Sequence, residues 1–270
     1  MVTLITGASA GIGRALAVAL AQRGCRLVLS ARREARLQEL NAALGGAHLV
    51  LPADVGKPED CHRLVESAWA HFGRVDTLVL NAGYGIYKRV EETTPEDIRA
   101  MYEVDVIGTT ECIRAAVPRL RAQSPRDSLA GQIVIVSSGA ARCGAPFIGV
   151  YSGAKAAQLV IAEALRAELH GDRIAVTTVH PTPTRTEFRE TAQTLGTHRL
   201  PPSDGFVHSQ TADEVAAAMV AAIERPRSEV WPLARARWLL GLGAFWPGLK
   251  DRALRKYYDE VVRFNRTEPS

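Results

Sequence analysis

Cysteine is sparse in this 270-residue chain and nowhere paired: Cys25, Cys61, Cys112 and Cys143 are scattered, with no C-x-x-C spacing and no clustered histidines. That excludes a disulfide framework and a zinc site, and it favours a reducing compartment, the cytoplasm. Long apolar runs are missing as well, none reaching the ~18 residues of a membrane-spanning helix. No charged stretch followed by an apolar core opens the sequence, so no cleaved leader is expected. Internal repeats, low-complexity tracts and linkers are absent. The net charge of +4 is modest, and no basic stripe with interleaved aromatics points to nucleic acid as a partner.

What remains is the balance of a globular protein, 47% hydrophobic and 23% charged, at a length one α/β domain can hold. Strand and helix signals alternate along it. Strands are expected at 2–6, 26–30, 47–51, 75–80, 131–137, 173–180 and 229–231. Helices fall between them, with Gly24 closing the first and Thr94-Pro95 opening the long one after the fourth strand. This order predicts an α/β fold: a doubly wound parallel sheet in three layers, α/β/α. One domain is expected over 1–230, with 231–270 a helical extension packed on it.

The strand Val2-Thr3-Leu4-Ile5 runs directly into Thr6-Gly7-Ala8-Ser9-Ala10-Gly11-Ile12-Gly13 and then an apolar helix. A glycine turn between strand and helix is a phosphate cradle. Glycine lets the backbone approach a pyrophosphate closely, and the helix N-terminus offers unpaired N–H groups and partial positive charge. The spacing is G-x-x-x-G-x-G, not G-x-G-x-x-G.

Further along, Tyr151 and Lys155 stand four residues apart, with Ser138 at the end of the strand-like run Gln132-Ile133-Val134-Ile135-Val136-Ser137-Ser138. Positions i and i+4 share a helix face, so phenol and ammonium can meet in one site. A nearby positive charge favours the phenolate and lowers a tyrosine's pKa. The serine hydroxyl can hold a substrate oxygen against that acid–base group. The same Y-x-x-x-K spacing also arises on solvated helices; the glycine turn is what gives it weight.

In these motifs the chain resembles the short-chain dehydrogenase/reductase family in its compact, single-domain Rossmann form. The resemblance runs from Val2 to about Glu224. It rests on Thr6 to Gly13, Asp54-Val55, Asn81-Ala82-Gly83, Ser138, the Tyr151/Lys155 pair and Pro181 to Thr186, in that order. It implies an oxidoreductase interconverting a carbonyl and an alcohol with a nicotinamide cofactor held by Gly7, Ser9, Gly11, Ile12 and Gly13. Asp54 and the Val55 backbone would meet the adenine. Asn81, Ala82 and Gly83 would line the cofactor, Tyr151 and Lys155 would hold the nicotinamide ribose, and Pro181, Thr184 and Thr186 would border the carboxamide. Catalysis would fall to Ser138, Tyr151 and Lys155, with Asp105 as the fourth member. Two positions depart from the pattern. Thr182 replaces a usual glycine, which questions the local backbone path. Asp105 stands where the family carries an asparagine whose main-chain carbonyl holds a relay water; the carbonyl is kept, while the added charge offsets Lys155 and raises the tyrosine's pKa.

The second strand ends Leu29-Ser30-Ala31-Arg32-Arg33, without the acid that would bond a ribose 2′-hydroxyl. This predicts NADP(H) over NAD(H), with Arg32 the principal 2′-phosphate contact and Ser30 or Arg33 assisting. The plainer reading of Arg33 is the solvated start of a helix beside Glu34 and Arg36. Ala10 stands where many NADP-preferring members carry a second basic residue, which moderates the preference. Tyr84 to Val90, Gly139 to Gly149 and 187–209 are expected to form the pocket. Their Tyr84, Ile86, Phe147, Ile148, Phe188, Leu195 and Phe206 imply an apolar carbonyl or alcohol substrate, and 187–209 reads as a mobile lid loop. Beyond Trp231 come Trp238, Trp246 and a basic stretch, Lys250 to Lys256. That segment suits either a tail packed on the pocket or on a partner subunit, or peripheral contact with an anionic membrane, with Gly241, Gly243 and Pro247 interrupting any long helix. The helix near 150–169 is apolar on two sides, so a homodimer or homotetramer is expected. An NADP(H)-sensing protein without turnover, or an isomerase or lyase on the same scaffold, are the alternatives.

Overall fold

The computed structural model describes residues 1–201 and 209–267. The first half runs β1 (Val2–Thr6), α1 (Gly11–Ala21), β2 (Arg26–Ser30), α2 (Glu34–Ala43), β3 (Leu49–Val50), α3 (Pro58–Phe72) and β4 (Thr77–Leu80). There follow α4 (Pro95–Tyr102), α5 (Gly108–Ala122), β5 (Gly131–Val136), α6 (Gly149–Glu168) and β6 (Ile174–Val179). The remainder is β7 (Thr184–Arg185), α7 (Glu187–Leu195), β8 (Gln210–Thr211), α8 (Ala212–Glu224), β9 (Glu229–Val230), α9 (Ala234–Phe245) and α10 (Pro247–Thr267).

Seven strands form one parallel sheet in the order β3-β2-β1-β4-β5-β6-β9. Every residue of β1, β4 and β5 is buried, as expected of strands covered on both faces. One apolar cluster gathers α3, α5 and α6 on one face; the other gathers α1, α2 and α8 on the opposite face. The strand order reverses between β1 and β4, so a crevice opens beyond their carboxyl ends, where doubly wound sheets bind ligands. The doubly wound fold expected from the sequence is the one observed.

Local signals set the helix ends. Pro58 opens α3 with Glu59 and Asp60 in its first turn, and Gly73, at φ 73°, closes it. Thr94 with Asp97 and Thr211 with Glu214 form reciprocal capping boxes on α4 and α8. Between α4 and α5 the chain widens into a π turn, Glu103–Ile107; such turns often mark functional sites.

Three expectations change. The third strand is only two residues long, because β3 is an edge strand paired to β2 alone. The segment after Thr186 is not a plain loop: Thr186 caps α7, accepting from the Phe188 N–H at 3.4 Å, with Glu187 and Glu190 in the first turn. The small sheet of β7 and β8 ties that segment's two ends together. Gly241 and Gly243 do not break α9, and the interruption comes at Trp246, with Pro247 starting α10. Phe206 lies outside the described residues.

Candidate active site

The turn after β1 has the form a pyrophosphate needs. Gly7 and Gly11 take φ of 68° and 52°, conformations easy only for glycine. A Cβ on Gly13 would lie 2.4 Å from the Gly7 carbonyl oxygen, so α1 can approach β1 this closely only without a side chain there. Ala10 supplies no side-chain cap, and the first turn of α1 holds no acid, so its free N–H groups and positive dipole end remain available to an anion. Ile12 belongs to that first turn and packs on the α1/α8 cluster. Asn81, at the end of β4, donates to the carbonyls of Thr6 and Gly7 at 3.0 and 3.3 Å, and the Thr6 hydroxyl accepts from the Asn81 and Ala82 N–H groups at 3.0 Å each. These bonds lock the glycine turn to the sheet's centre.

At the end of β2, Arg33 donates to Ser9 Oγ at 3.3 Å and to Glu187 at 2.9 Å, and Arg36 pairs with the same carboxylate. The Arg32 side chain forms no ion pair among the described residues; the residue is exposed, and its charge reaches Tyr84. Ser30 is fully buried, which leaves the arginines, not Ser30, to face a ligand. Asp54 Oδ1 accepts from the Gly56 N–H at 3.1 Å, and the Val55 carbonyl accepts from the Cys61 thiol at 3.2 Å. Both therefore shape their own turn.

Past β6, Pro181 accepts from the Gly139 N–H at 2.8 Å. Thr182 needs no left-handed backbone: it is buried, its hydroxyl donates to Gln210 at 2.8 Å, and its N–H reaches the same oxygen at 3.3 Å. Threonine thus exchanges backbone freedom for a tie to β8. Thr184 donates to the Thr182 carbonyl at 2.7 Å, and Thr186 lies against Gly11, where a Cβ would come within 3.2 Å of it.

Ser138, Tyr151 and Lys155 converge at the carboxyl end of β5. Ser138 caps the 3-10 turn Gly139–Arg142, its Oγ accepting from the Ala140 N–H at 3.1 Å, while the Ser137 hydroxyl donates to the Lys155 carbonyl at 2.8 Å. Phe188 of α7 lies against Tyr151, ring centroids 5.5 Å apart, and a Cβ on Gly85 would strike the tyrosine ring at 2.8 Å. Lys155 is buried and paired with Asp105 Oδ1 at 2.9 Å, Asp105 being wholly buried in the π turn. Gly83 makes room for this pair, since a Cβ there would fall 2.3 Å from the carboxylate.

The expected lowering of the tyrosine's pKa by Lys155 is not what this geometry produces. Burial pushes the Tyr151 phenol well above the ordinary range, the Asp105 charge pushes it further, and hydrogen bonding with Ser138 pulls it back in part. Burial likewise raises the Asp105 carboxyl, opposed by the charge and hydrogen bond of Lys155. The Asp105 carbonyl, expected to hold a water, accepts from Gln158 Nε2 at 2.6 Å. Gln158 went unnoticed in the sequence, although its position three residues after Lys155 on one helix was the available signal.

Residues of the expected pocket segments, Tyr87 and Phe147, cover this centre together with Tyr257, Tyr258 and Asn265 of α10, which the sequence did not single out. Tyr87 and Tyr257 are largely buried, and burial raises both phenols to about 12. Phe147, in the left-handed region at φ 67°, stacks on Tyr258 at 5.5 Å. Asn265 of α10 clasps the lid by accepting from the Arg199 N–H at 2.9 Å and donating to its carbonyl at 2.8 Å. α10 therefore packs over the pocket-forming segments, whereas Trp238, Phe245 and Trp246 remain 72%, 78% and 58% exposed.

Sheet, glycine turn and Ser–Tyr–Lys convergence define a doubly wound α/β protein with a phenol, a hydroxyl and an ammonium gathered beyond the carboxyl end of β5. A family model described as short chain dehydrogenase matches residues 1–195. The chain belongs to the short-chain dehydrogenase/reductase family. It is 42% identical over 187 residues to 11-beta-hydroxysteroid dehydrogenase 1A of Arabidopsis thaliana, covering 67% of this chain and 51% of that protein. The chain thus spans about half the length of that relative. A short-chain dehydrogenase from Sphingobium yanoikuyae in complex with NADPH is 29% identical with a TM-score of 0.76, over 93% of this chain and 95% of that one. A 3-ketoacyl-(acyl-carrier-protein) reductase from Brucella melitensis complexed with NADH is 26% identical with a TM-score of 0.75, over 85% and 95%.

Proposed function

We propose that the chain is an NADP(H)-dependent oxidoreductase that interconverts an apolar ketone or aldehyde and its alcohol. The observation that carries this reading is the hydrogen-bonded pair of Ser138 and Tyr151 at the carboxyl end of the parallel sheet, the end that also carries the glycine turn after β1. The residues fit the cofactor: the α1 N-terminus would hold the pyrophosphate, and Arg32, together with Arg33 once it exchanges Glu187 for the ligand, would hold a 2′-phosphate. The cofactor supplies the hydride. Ser138 orients the carbonyl oxygen, Tyr151 Oη donates its proton to that oxygen, and Lys155 fixes the charge beneath the site. Phe188, Tyr87 and Phe147 exclude water and favour an apolar substrate. Of the two solved structures named above, one is in complex with NADPH and the other with NADH, so the preference rests on the arginines. Calorimetry with NADPH and NADH side by side tests it. NADPH tighter by about 1.4 kcal/mol, a tenfold ratio, is the expected result; equal or NADH-favoured binding would contradict it.

Two finer readings go with this one. Val160, 61% exposed on α6, and Ile107, 45% exposed, favour a partner copy against that face, giving a homodimer or homotetramer in the cytoplasm. For the C-terminal segment the main reading is a tail packed on the pocket, through Tyr258 on Phe147 and Asn265 on Arg199. The exposed Trp238, Phe245 and Trp246, beside Arg235, Arg237 and Lys250, are what the lesser alternative, peripheral contact with an anionic bilayer, would use. Co-sedimentation with anionic vesicles at low salt tests that contact, and its absence removes it. No helix among the described residues is long and apolar enough to cross a membrane.

A further inference from the structure

Two side chains that the family pattern does not foresee, Asp105 and Gln158, meet at one atom, Lys155 Nζ. An ammonium has three protons, and each has an acceptor inside the protein: Asp105 Oδ1 at 2.9 Å, Gln158 Oε1 at 3.0 Å and the Val136 carbonyl at 3.3 Å. Gln158 is fully buried and donates in turn to the Asp105 carbonyl at 2.6 Å and to Thr109 Oγ1 at 2.9 Å. Its carboxamide thus bridges the lysine and the carbonyl of residue 105, the place where the family resemblance puts a water. Water rotates and exchanges donor for acceptor; a carboxamide keeps its oxygen on one side and its N–H groups on the other.

Held this way, with Nζ 5.8 Å from the ring centroid, the ammonium has no proton left to donate to the Tyr151 phenol. The groups that face the phenol are Asp105 from the π turn, Ser138 from the end of β5, Tyr87 from the segment after β4, Lys155 from its own helix, and the uncharged Phe188 ring from α7. Asp105 opposes the phenolate, and Ser138 alone is close enough to favour it by a hydrogen bond.

Resting on the oxidoreductase reading above, we propose that Gln158 is a positioning residue: with Asp105 it holds the Lys155 ammonium against the π turn, its protons turned from the Tyr151 phenol. The chain thereby works as a carbonyl reductase at neutral pH and oxidises alcohols only under alkaline conditions. Reduction uses the neutral phenol. The Tyr151 O–H breaks as the alcohol O–H forms, and the hydride and its electron pair pass from the nicotinamide to the carbonyl carbon. Oxidation needs the phenolate, which takes the alcohol's proton as hydride returns to the oxidised cofactor. A phenol kept protonated by its surroundings therefore serves the first direction and starves the second until the pH is high.

The test is a carbon NMR titration of ring-labelled tyrosine in the cofactor-free protein, with the Tyr151 signal assigned by Tyr151→Phe. Beside it run pH profiles of NADPH-dependent reduction and NADP⁺-dependent oxidation. In the natural chain Tyr151 should stay protonated beyond the ordinary tyrosine midpoint of about 10. Asp105→Asn should lower its midpoint by roughly one unit, a tenfold change in the phenol–phenolate ratio. Gln158→Met, which frees one ammonium proton, should lower it by less, and the acidic limb of the oxidation profile should move with it. Gln158→Glu should raise it, so the proposal stays testable even where Gln158→Met fails to fold. A Tyr151 midpoint unmoved by the folded Gln158 variants would overturn the proposal. Midpoints that shift as expected in a natural chain that consumes neither nicotinamide with any carbonyl would instead sink the oxidoreductase reading and leave the positioning role standing.

Discussion

Lys155 and Asp105 pair with side chains only 5% and 0% exposed, whereas Arg33, Arg36 and Glu187 pair across the lid with side chains 46%, 44% and 45% exposed. The two clusters use the same kinds of charge under opposite rules. In the first, water is excluded, each charge depends on its partner, and loss of one leaves the other stranded. In the second, solvent and salt screen the attraction, which makes the contact weak and easily exchanged for a ligand's charge. The sealed cluster is suited to setting proton chemistry and the open one to meeting a phosphate.

Breaking the sealed pair from one side should produce the largest effect. Lys155→Met is expected to lower stability by about 3 kcal/mol in urea unfolding, with Asp105→Asn in the same chain recovering much of that loss. If Lys155→Met were as stable as the natural chain, the buried pair would not be an ionic one.

A smaller effect is expected in the open cluster. Arg33→Ala should weaken NADPH about tenfold, the loss of a charge-assisted contact, and change NADH little; equal losses for both would remove Arg33 from the 2′-phosphate site. Smaller still, Glu187→Gln should change stability by less than about 1 kcal/mol. It should also tighten NADPH a few-fold at low salt by freeing Arg33, and the gain should vanish at high salt. A salt-independent change would mean that Glu187 acts through α7 and not through charge.

The aromatic cover gives a pH test of its own. Tyr87 and Tyr257 are raised to about 12 in the folded chain, above the unfolded value of about 10. A raised pKa means that their stabilising contribution is complete below about pH 10 and is lost as pH climbs through about 12. Alkaline unfolding should begin in that window, and Tyr257→Phe should shift it upward. An unchanged onset would show that α10 is held by other contacts, Asn265 with Arg199 foremost.

How much of this was legible in the sequence follows the same division. β1, the glycine turn and α1 are contiguous, so their pattern contains their geometry. Tyr151 and Lys155 share a helix, and spacing alone puts them on one face. The identity of Lys155's partners was only half visible. Asp105 stood out at its family position, but the π turn that buries it leaves no periodic mark, and Gln158 read as one polar residue on an apolar helix. The lid helix α7 was missed because the segment is rich in Thr, Gly and Pro and the helix docks on a distant segment at Tyr87, whose N–H reaches the Ala192 carbonyl at 3.2 Å. The packing of Tyr258 on Phe147 joins positions far apart in the chain, and no local pattern encodes it.

The most direct test of the central claim is NADPH consumption at neutral pH with a panel of apolar ketones and aldehydes, natural chain beside Tyr151→Phe. Turnover by the natural chain that falls by about 10²-fold or more in the variant, with NADPH affinity retained, is the predicted result. Consumption that persists in Tyr151→Phe, or none in the natural chain with any carbonyl, would contradict it.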